Sequence, residues 1–396
     1  MRAPSPFLVD ATTWGTHASH DGSSGIGARS RATELVEFDG ALTVIVKRTF
    51  RLGPGGVEPS LDAALPLAGA DVHAADPRRT PPRYETDFVP FKPRADALCV
   101  GNAYPGGDRR GTHCVVAFGV GSWLKQILVT GDRTWKAGIT RLGNTPTDPE
   151  PFSAMPVSFE RAYGGRDPAD VTGVRAFAQN PLGKGYTTSG AALAGLALPN
   201  LEDPANRIGS WKDQPAPRSF GPVGRTWQPR FARVGTYDAR CLERGGPARP
   251  ADFDEGYYNC APDDQQIEGY LRGDEKVRVI NMHPVHTDLT FRLPKLRVRC
   301  LADRERGGQR QLDDVATHLD TLWVDMDALL LVLVWRARLA DWATEGVSHF
   351  LVVSEPLGDT PAAPEAYRRH IDRFEADEAD PEDEEPVLEP LEASGG

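Results

Sequence analysis

The chain has 396 residues, of which 40% are hydrophobic, with 40 glycines and 34 prolines; that balance suits a β-rich chain with many turns, folded as one large domain or two packed subdomains. Its formal charge of -11 is concentrated in Glu375–Glu392, which holds ten acidic residues and no basic one; the remainder carries 46 acids against 45 bases and has no basic stripe for nucleic acid. The five cysteines lack C-x-x-C spacing, which argues against a zinc clip or redox motif; the longest apolar run, Ala328–Trp335, is far below the roughly 20 residues of a membrane-spanning helix.

In chain order, residues 1–40 form an N-terminal segment whose only apolar centre, FLV, is followed by Asp10, so it does not read as a signal peptide. GSSGIG (Gly22–Gly27) reads as loop. Leu42–Phe50 is β-branched and predicts a strand. Pro90 and Pro93 bracket Phe91 and Lys92 and forbid helix interior or central-strand pairing there. His113–Val120 and Gln126–Trp135 predict a hairpin across GSWLK. Residues 138–265 are rich in Pro, Gly, Arg and aromatics, too long for an idle loop and expected to be packed, irregular structure. KVRVINM, KLRVRCL and SHFLVV are short strands. Leu319–Val324 and Leu329–Trp335 predict a second hairpin with Asp325, Met326 and Asp327 near its turn, and the second strand, apolar throughout, should be buried on both faces. In Ala362–Glu378, Tyr367, Ile371 and Phe374 fall on one helical face; the rest of the end reads as a solvated acidic tail.

These elements predict a mainly β fold: antiparallel, sandwich-like or barrel-like sheets with long ordered Gly/Pro-rich loops, few helices and an acidic C-terminal tail. Residues 41–356 form the body, as one domain or two packed subdomains, and 357–396 the tail with a short helix at 362–378. A cytoplasmic protein with reduced thiols is expected, with no membrane insertion.

Catalytic signatures are sparse. There is no G-x-S-x-G elbow and no phosphate loop; NPLGKGY (Asn180–Tyr186) lacks the first glycine and the hydroxyl residue after Lys184, and reads as an Asn-Pro turn. His283 and His286 have no third ligand close by, so no metal is expected, nor any cofactor. Asp252 and Asp254, or Glu160, could form the acid–base pair of a carbohydrate-active hydrolase, but turn capping and ion pairing explain them as well.

A set of loop phrases shares one vocabulary, an aromatic or Arg beside Gly or Pro: ETDFVPFKPR (Glu85–Arg94), PFSAMPVSFERAYGG (Pro151–Gly165), NPLGKG, LPNLEDP (Leu198–Pro204), SFGPVGRTWQPR (Ser219–Arg230), VGTYDARC (Val234–Cys241) and DFDEGYYNCAPDDQQ (Asp252–Gln266). Such loops hold shape without a ladder and suit interface anchors, or lock onto a sheet. In this order they resemble a bacterial family of type VI secretion accessory proteins, defined by a domain of unknown function and often encoded beside VgrG, PAAR and effector genes. The resemblance runs from about Glu85 to the TLWVD…VWR hairpin; CLERGGPARP (Cys241–Pro250) departs from it.

The resemblance implies a cytoplasmic, non-catalytic adaptor or chaperone that binds an effector toxin or its PAAR-containing carrier and promotes loading onto the VgrG spike; a component that stays on the spike is the structural alternative. On the loop phrases, Phe88, Phe91, Lys92, Arg94, Arg161, Tyr163, Phe220, Arg225, Trp227 and Arg230 are the candidate partner contacts. Asp87, Pro90, Pro93, Glu160, Gly164, Gly165, Asn180, Pro181, Gly183, Gly185, Asn200, Tyr237 and Asp238 are the candidate structural positions. Asp87 is a candidate internal partner of Arg94.

Overall fold

In a computed structural model of the chain, the residues described are 6–11, 32–53, 56–60, 63–106, 110–136, 144–238, 249–342 and 344–379. The strands that carry the architecture are β1 (Phe7–Asp10), β2 (Thr33–Phe38), β3 (Ala41–Gly53), β4 (Ala95–Val100), β5 (His113–Val120), β6 (Trp123–Thr130), β7 (Lys276–Ile280), β8 (Asp288–Arg292), β9 (Leu296–Arg306), β10 (Gln309–Val315), β11 (Thr317–Asp325), β12 (Leu330–Leu339) and β13 (Val347–Pro356). Two α-helices occur among the described residues, α1 (Gln228–Phe231) and α2 (Arg368–Ala379).

The largest sheet has the order Gln266–Ile267, β4, β11, β12, β3, β2, with Gly56–Pro59 added along β3; a second has Leu201–Glu202, β6, β5, β7, β8; a third has β1, β13, β9, β10. The pairing is mostly antiparallel, with β4–β11 and β1–β13 parallel. The fold is mainly β, with several antiparallel sheets and no closed barrel among the described residues.

Alternation explains the layering, because successive strand residues face opposite sides. In β3, Val44 and Val46 enter the main core while Ile45 enters a second cluster on the other face; in β12, Leu331 and Leu333 divide from Val332 and Val334 in the same way. That is why Leu330–Ala337 is apolar almost throughout: both faces of β12 are covered. The main core runs between the large sheet and the other two, drawing Phe118 and Ile127 from the second and Cys300, Phe350 and Val352 from the third. The outer face of the large sheet is covered by the chain from Leu65 to Pro93 and by Asn259–Ala261.

Two expectations are corrected. GSWLK is not a connecting loop: Val120 pairs with Trp123, so the turn is only Gly121–Ser122 and the second strand begins at Trp123 rather than Gln126. The chain after 356 does not leave the body at once. Through Ala379 it is docked on β9, β10 and β13, with Ile371 fully buried against Leu301, Leu312, Leu351 and Val353. The N-terminal segment also supplies structure, since β1 runs beside β13 and β2 beside β3. The GSSGIG reading and the acidic run after residue 379 lie outside the described residues.

Candidate functional site

The proline corner at Pro90–Pro93 covers a layer of buried charge. Lys47, Asp96 and Arg336 project from β3, β4 and β12 toward the outer face of the large sheet, where the chain Tyr84–Lys92 closes over them. Burying a charge is costly unless it is paired and hydrogen-bonded, and each one is. Lys47 Nζ lies 3.0 Å from Asp87 and donates at 2.9 Å to the Pro66 carbonyl. Asp87 also accepts from the Tyr84 hydroxyl at 2.5 Å and from the Ala68 amide at 2.7 Å. Lys92 Nζ reaches Asp96 at 2.7 Å and Thr321 at 2.9 Å. Arg336 holds Asp320 at 2.5 Å and the Asp87 carbonyl at 2.6 Å.

Burial sets the direction of several ionisations. It pushes the Lys47 ammonium below the ordinary lysine value, with Asp87 only partly restoring it. Burial alone would also lower Lys92, but Asp96 outweighs it and the ammonium is held above its ordinary value. The Asp96 carboxyl would rise on burial, yet Lys92 and the donors from Cys260 and Asn259 hold it below the usual range. Burial, reinforced by Asp96, raises the Cys260 thiol well above its ordinary value, which makes it a poor nucleophile. Between these groups lies a cavity of about 10 Å³, lined by Tyr84, Glu85, Asp87, Lys92, Thr321 and Arg336, room for a single water.

The candidate contact residues divide. Lys92, Tyr163, Phe220, Trp227 and Arg230 are buried, so their work is internal rather than at a surface. Phe220 stacks edge-on against Phe118, Trp227 against Phe159 and Tyr163 against Phe177. Burial also pushes the Tyr163 phenol up to about 12. Arg230 binds Glu85 at 2.6 Å and the Tyr257 carbonyl, and half-buried Arg225 meets the same Glu85 at 2.9 Å. Phe88 is partly buried against the outer cluster, Phe91 lies under the Arg338 guanidinium at 5.4 Å, and Arg161 faces Asp132 at 3.3 Å. Of this set Arg94 is exposed; it is not the partner of Asp87, which takes Lys47.

The structural positions converge more tightly than the sequence suggested. The YGG and NPLGKG phrases lie side by side as a short parallel pair, Tyr163 beside Lys184 and Gly164 beside Gly185. Fully buried Asn180 donates from Nδ2 to the Phe159 and Tyr163 carbonyls at 2.7 and 3.0 Å, while the Gly165 amide donates to its backbone oxygen. Gly164 has φ +141, and a Cβ there would sit 2.2 Å from the Asn180 oxygen; a Cβ on Gly183 would meet Asn180 Nδ2 at 2.4 Å. Only glycine fits either approach. Pro181 follows Asn180 in the turn, Gly165 and Gly185 complete the junction, and Glu160 sits in the 3-10 turn Phe159–Arg161 that leads into it. Asn200 ties the junction to β6 through the Thr130 carbonyl at 2.8 Å. Pro90 is buried and accepts a bond from Thr43, Pro93 is exposed, and Tyr237 is half exposed just before Asp238.

The acid–base candidates act as caps. Asp252 accepts from Thr236 and Asp254 from the Gly256 amide; His283 Nδ1 accepts the Val285 and His286 amides within a turn. No group of three or more His, Cys, Asp or Glu placed to hold a metal occurs among the described residues, and no described helix is long and apolar enough to cross a membrane.

A second feature, missed in the sequence, is an open groove of about 420 Å³ along the start of β6, lined by Trp123, Leu124, Lys125, Gln126, Asp203, Pro204, Ala205, Arg218 and Asp264. Its charges are satisfied among themselves. Arg218 bridges Asp203 and Asp264, and Lys125 donates to Asp264 at 2.8 Å, to Gln265 at 2.7 Å and to the Ser219 carbonyl. Burial brings the Lys125 ammonium down to about 8 despite Asp264. Leu124 is 50% exposed. The one signal available beforehand was a bulky apolar residue in GSWLK, a segment otherwise read as a turn.

No curated protein and no solved structure matches the chain. The profile of a family described as an uncharacterized protein conserved in bacteria, DUF2169, matches residues 38–336. That span holds the buried charge layer, the Gly-Asn junction and the groove, and the chain belongs to this family.

Proposed function

We propose that the protein is a non-catalytic adaptor or chaperone that binds a type VI secretion effector, or its PAAR-containing carrier, in the cytosol and promotes loading onto the VgrG spike. The observation that carries the binding part of this reading is the preformed groove beside β6, with exposed Leu124 at its rim and walls braced by the Arg218 and Lys125 ion pairs. A surface already held in shape loses little entropy when a partner arrives. The identity of the partner rests on the resemblance of the ordered loop phrases. The locked junction around Asn180 and the buried charge layer supply the rigid frame such a scaffold requires.

The test is a pull-down of the protein from its native cytosol, from cells making the secretion machinery, with bound species identified by mass. Recovery of a PAAR-bearing effector or VgrG supports the adaptor reading. Recovery of neither overturns it.

A further inference from the structure

The groove has an uneven floor. The β5–β6 hairpin closes on a two-residue turn with Val120 paired to Trp123, so Trp123, Lys125, Ile127 and Val129 bond to β5. The alternate residues, Leu124, Gln126, Leu128 and Thr130, then direct their N–H and C=O groups away from β5. At the far end this outward row is satisfied: Leu128 pairs with Glu202, and the Thr130 amide donates to the Asn200 carbonyl at 2.8 Å. The next position along that partner is Pro204, which has no N–H to give. Asp203 turns the chain aside, its side chain taking the Ala205 amide at 2.9 Å and its carbonyl the Asn206 amide. Leu124 and Gln126 are left with outward main-chain groups that meet no backbone partner among the described residues.

We propose that this open edge of β6 takes an extended, locally uncharged peptide segment of the client as an added strand, collinear with Leu201–Glu202. The proposal rests on the binding-scaffold reading above and specifies its mode. Two observations select the occupant. The row of free N–H and C=O groups continues an existing ladder, and its complement is another extended backbone. The charged side chains around it are already paired with one another, so a charged segment gains no partner and forfeits hydration, whereas an apolar side chain can cover Leu124. A second copy of the chain is a poor occupant. Pro204, Ala205, Arg218 and Asp264 line the groove beside the edge, so a second copy would have to bring its own edge past the same four residues.

The probe is a displayed library of short linear peptides, selected on the wild-type protein. Leu124→Pro deletes one outward N–H without breaking a bond to β5, and Ala205→Trp fills the groove from an exposed position while leaving the backbone unchanged; the second variant decides if the first does not fold. Val171→Ala, at a fully exposed position outside the groove, is the control. Selected peptides should be poor in charge, should bind both groove variants about tenfold or more weakly, the scale of one or two main-chain bonds, and should lose binding when N-methylated at alternate residues in one phase only. Failure to select peptides, or binding to both variants as tight as to wild type, overturns the proposal. In the cytosolic pull-down, a client held by wild type and lost by both variants supports it. A client held by all three overturns edge addition and leaves the adaptor reading standing. Absence of a client from wild type overturns that reading instead, and the peptide arm still decides the edge. A wild-type dimer that the variants dissolve identifies a second copy and overturns the proposal.

Discussion

Lys47 Nζ lies 3.0 Å from Asp87, with about 2% and 3% of the two side chains exposed, in a pair that joins a central strand to the loop covering it. Removing one partner leaves an uncompensated buried charge, which costs about 3–5 kcal/mol. Asp87→Ala should therefore lower unfolding stability by that order. Lys47→Met added to Asp87→Ala should recover part of it, because the orphaned ammonium is gone. Urea unfolding of the wild type and the variants checks this; equal stability of single and double variants would separate the pair.

The Gly-Asn junction predicts a contrast between glycines. Gly164→Ala would place its Cβ 2.2 Å from the Asn180 oxygen at a positive φ and should cost several kcal/mol or prevent folding. Gly173 also has positive φ, but its Cβ would meet nothing within 4 Å, so Gly173→Ala should cost only about 1 kcal/mol. Asn180→Ala leaves the Tyr163 carbonyl without its donor, at about 1–3 kcal/mol, while the Phe159 carbonyl keeps the Ala162 amide. Thermal melting of the three variants tests the ordering.

The strands were legible where burial is uniform along them. Leu330–Ala337 is apolar because the sheet is covered on both sides, and Leu42–Phe50 because its Val residues enter one core and Ile45 another. What could not be read was pairing over long separations. β1 is four residues beside β13, and Arg336 finds its partner carbonyl at Asp87 through the fold rather than the sequence. Buried charge misled for a related reason. Lys92 and Arg230 sit in Pro- and Gly-rich phrases that look exposed; Asp96 is only four residues from Lys92, but the fold alone brings Glu85 to Arg230 and buries both pairs. The groove was hidden because an open edge is defined by the absence of a neighbour, which Pro204 creates 74 residues beyond the end of β6.

Acid should loosen the termini through His349. Its ring stacks on Phe7 at 5.3 Å and meets Phe374 edge-on, tying β1, β13 and α2 together. Burial, aided by Arg310 and Arg368, holds its pKa below 6.5 against the pull of Glu375 and Asp303. The unfolded chain then binds the proton first, so stability is complete above about pH 6.5 and falls as pH drops through that value. His349→Gln should remove its share of the dependence between about pH 5.5 and 7, above the range in which Glu375 and Glu365 titrate, leaving the smaller share of His318, which burial also lowers, and of the more exposed histidines. Denaturant midpoints across that interval, wild type against variant, give the answer; parallel curves would place the dependence elsewhere.

The C-terminal segment needs two truncations, because it carries two roles. Cutting after Thr360 removes Ile371 from its buried position. It also removes the Tyr367 hydroxyl from Glu355 at 2.5 Å and the Arg368 guanidinium from fully buried Asp303 at 2.8 Å. A buried Ile is worth about 1.5–3 kcal/mol, and the lost polar contacts add to it, so this truncation should destabilise the body by roughly 3 kcal/mol or more. Any loss of client binding would then report damage to the fold. Cutting after Ala379 keeps α2 and deletes most of the acid run. If that run recruits a basic client, the shorter truncation should keep the wild-type melting temperature yet weaken binding at low ionic strength, with the difference fading as salt screens it. Unchanged affinity at low salt would leave the acidic residues a role in keeping copies of the chain apart.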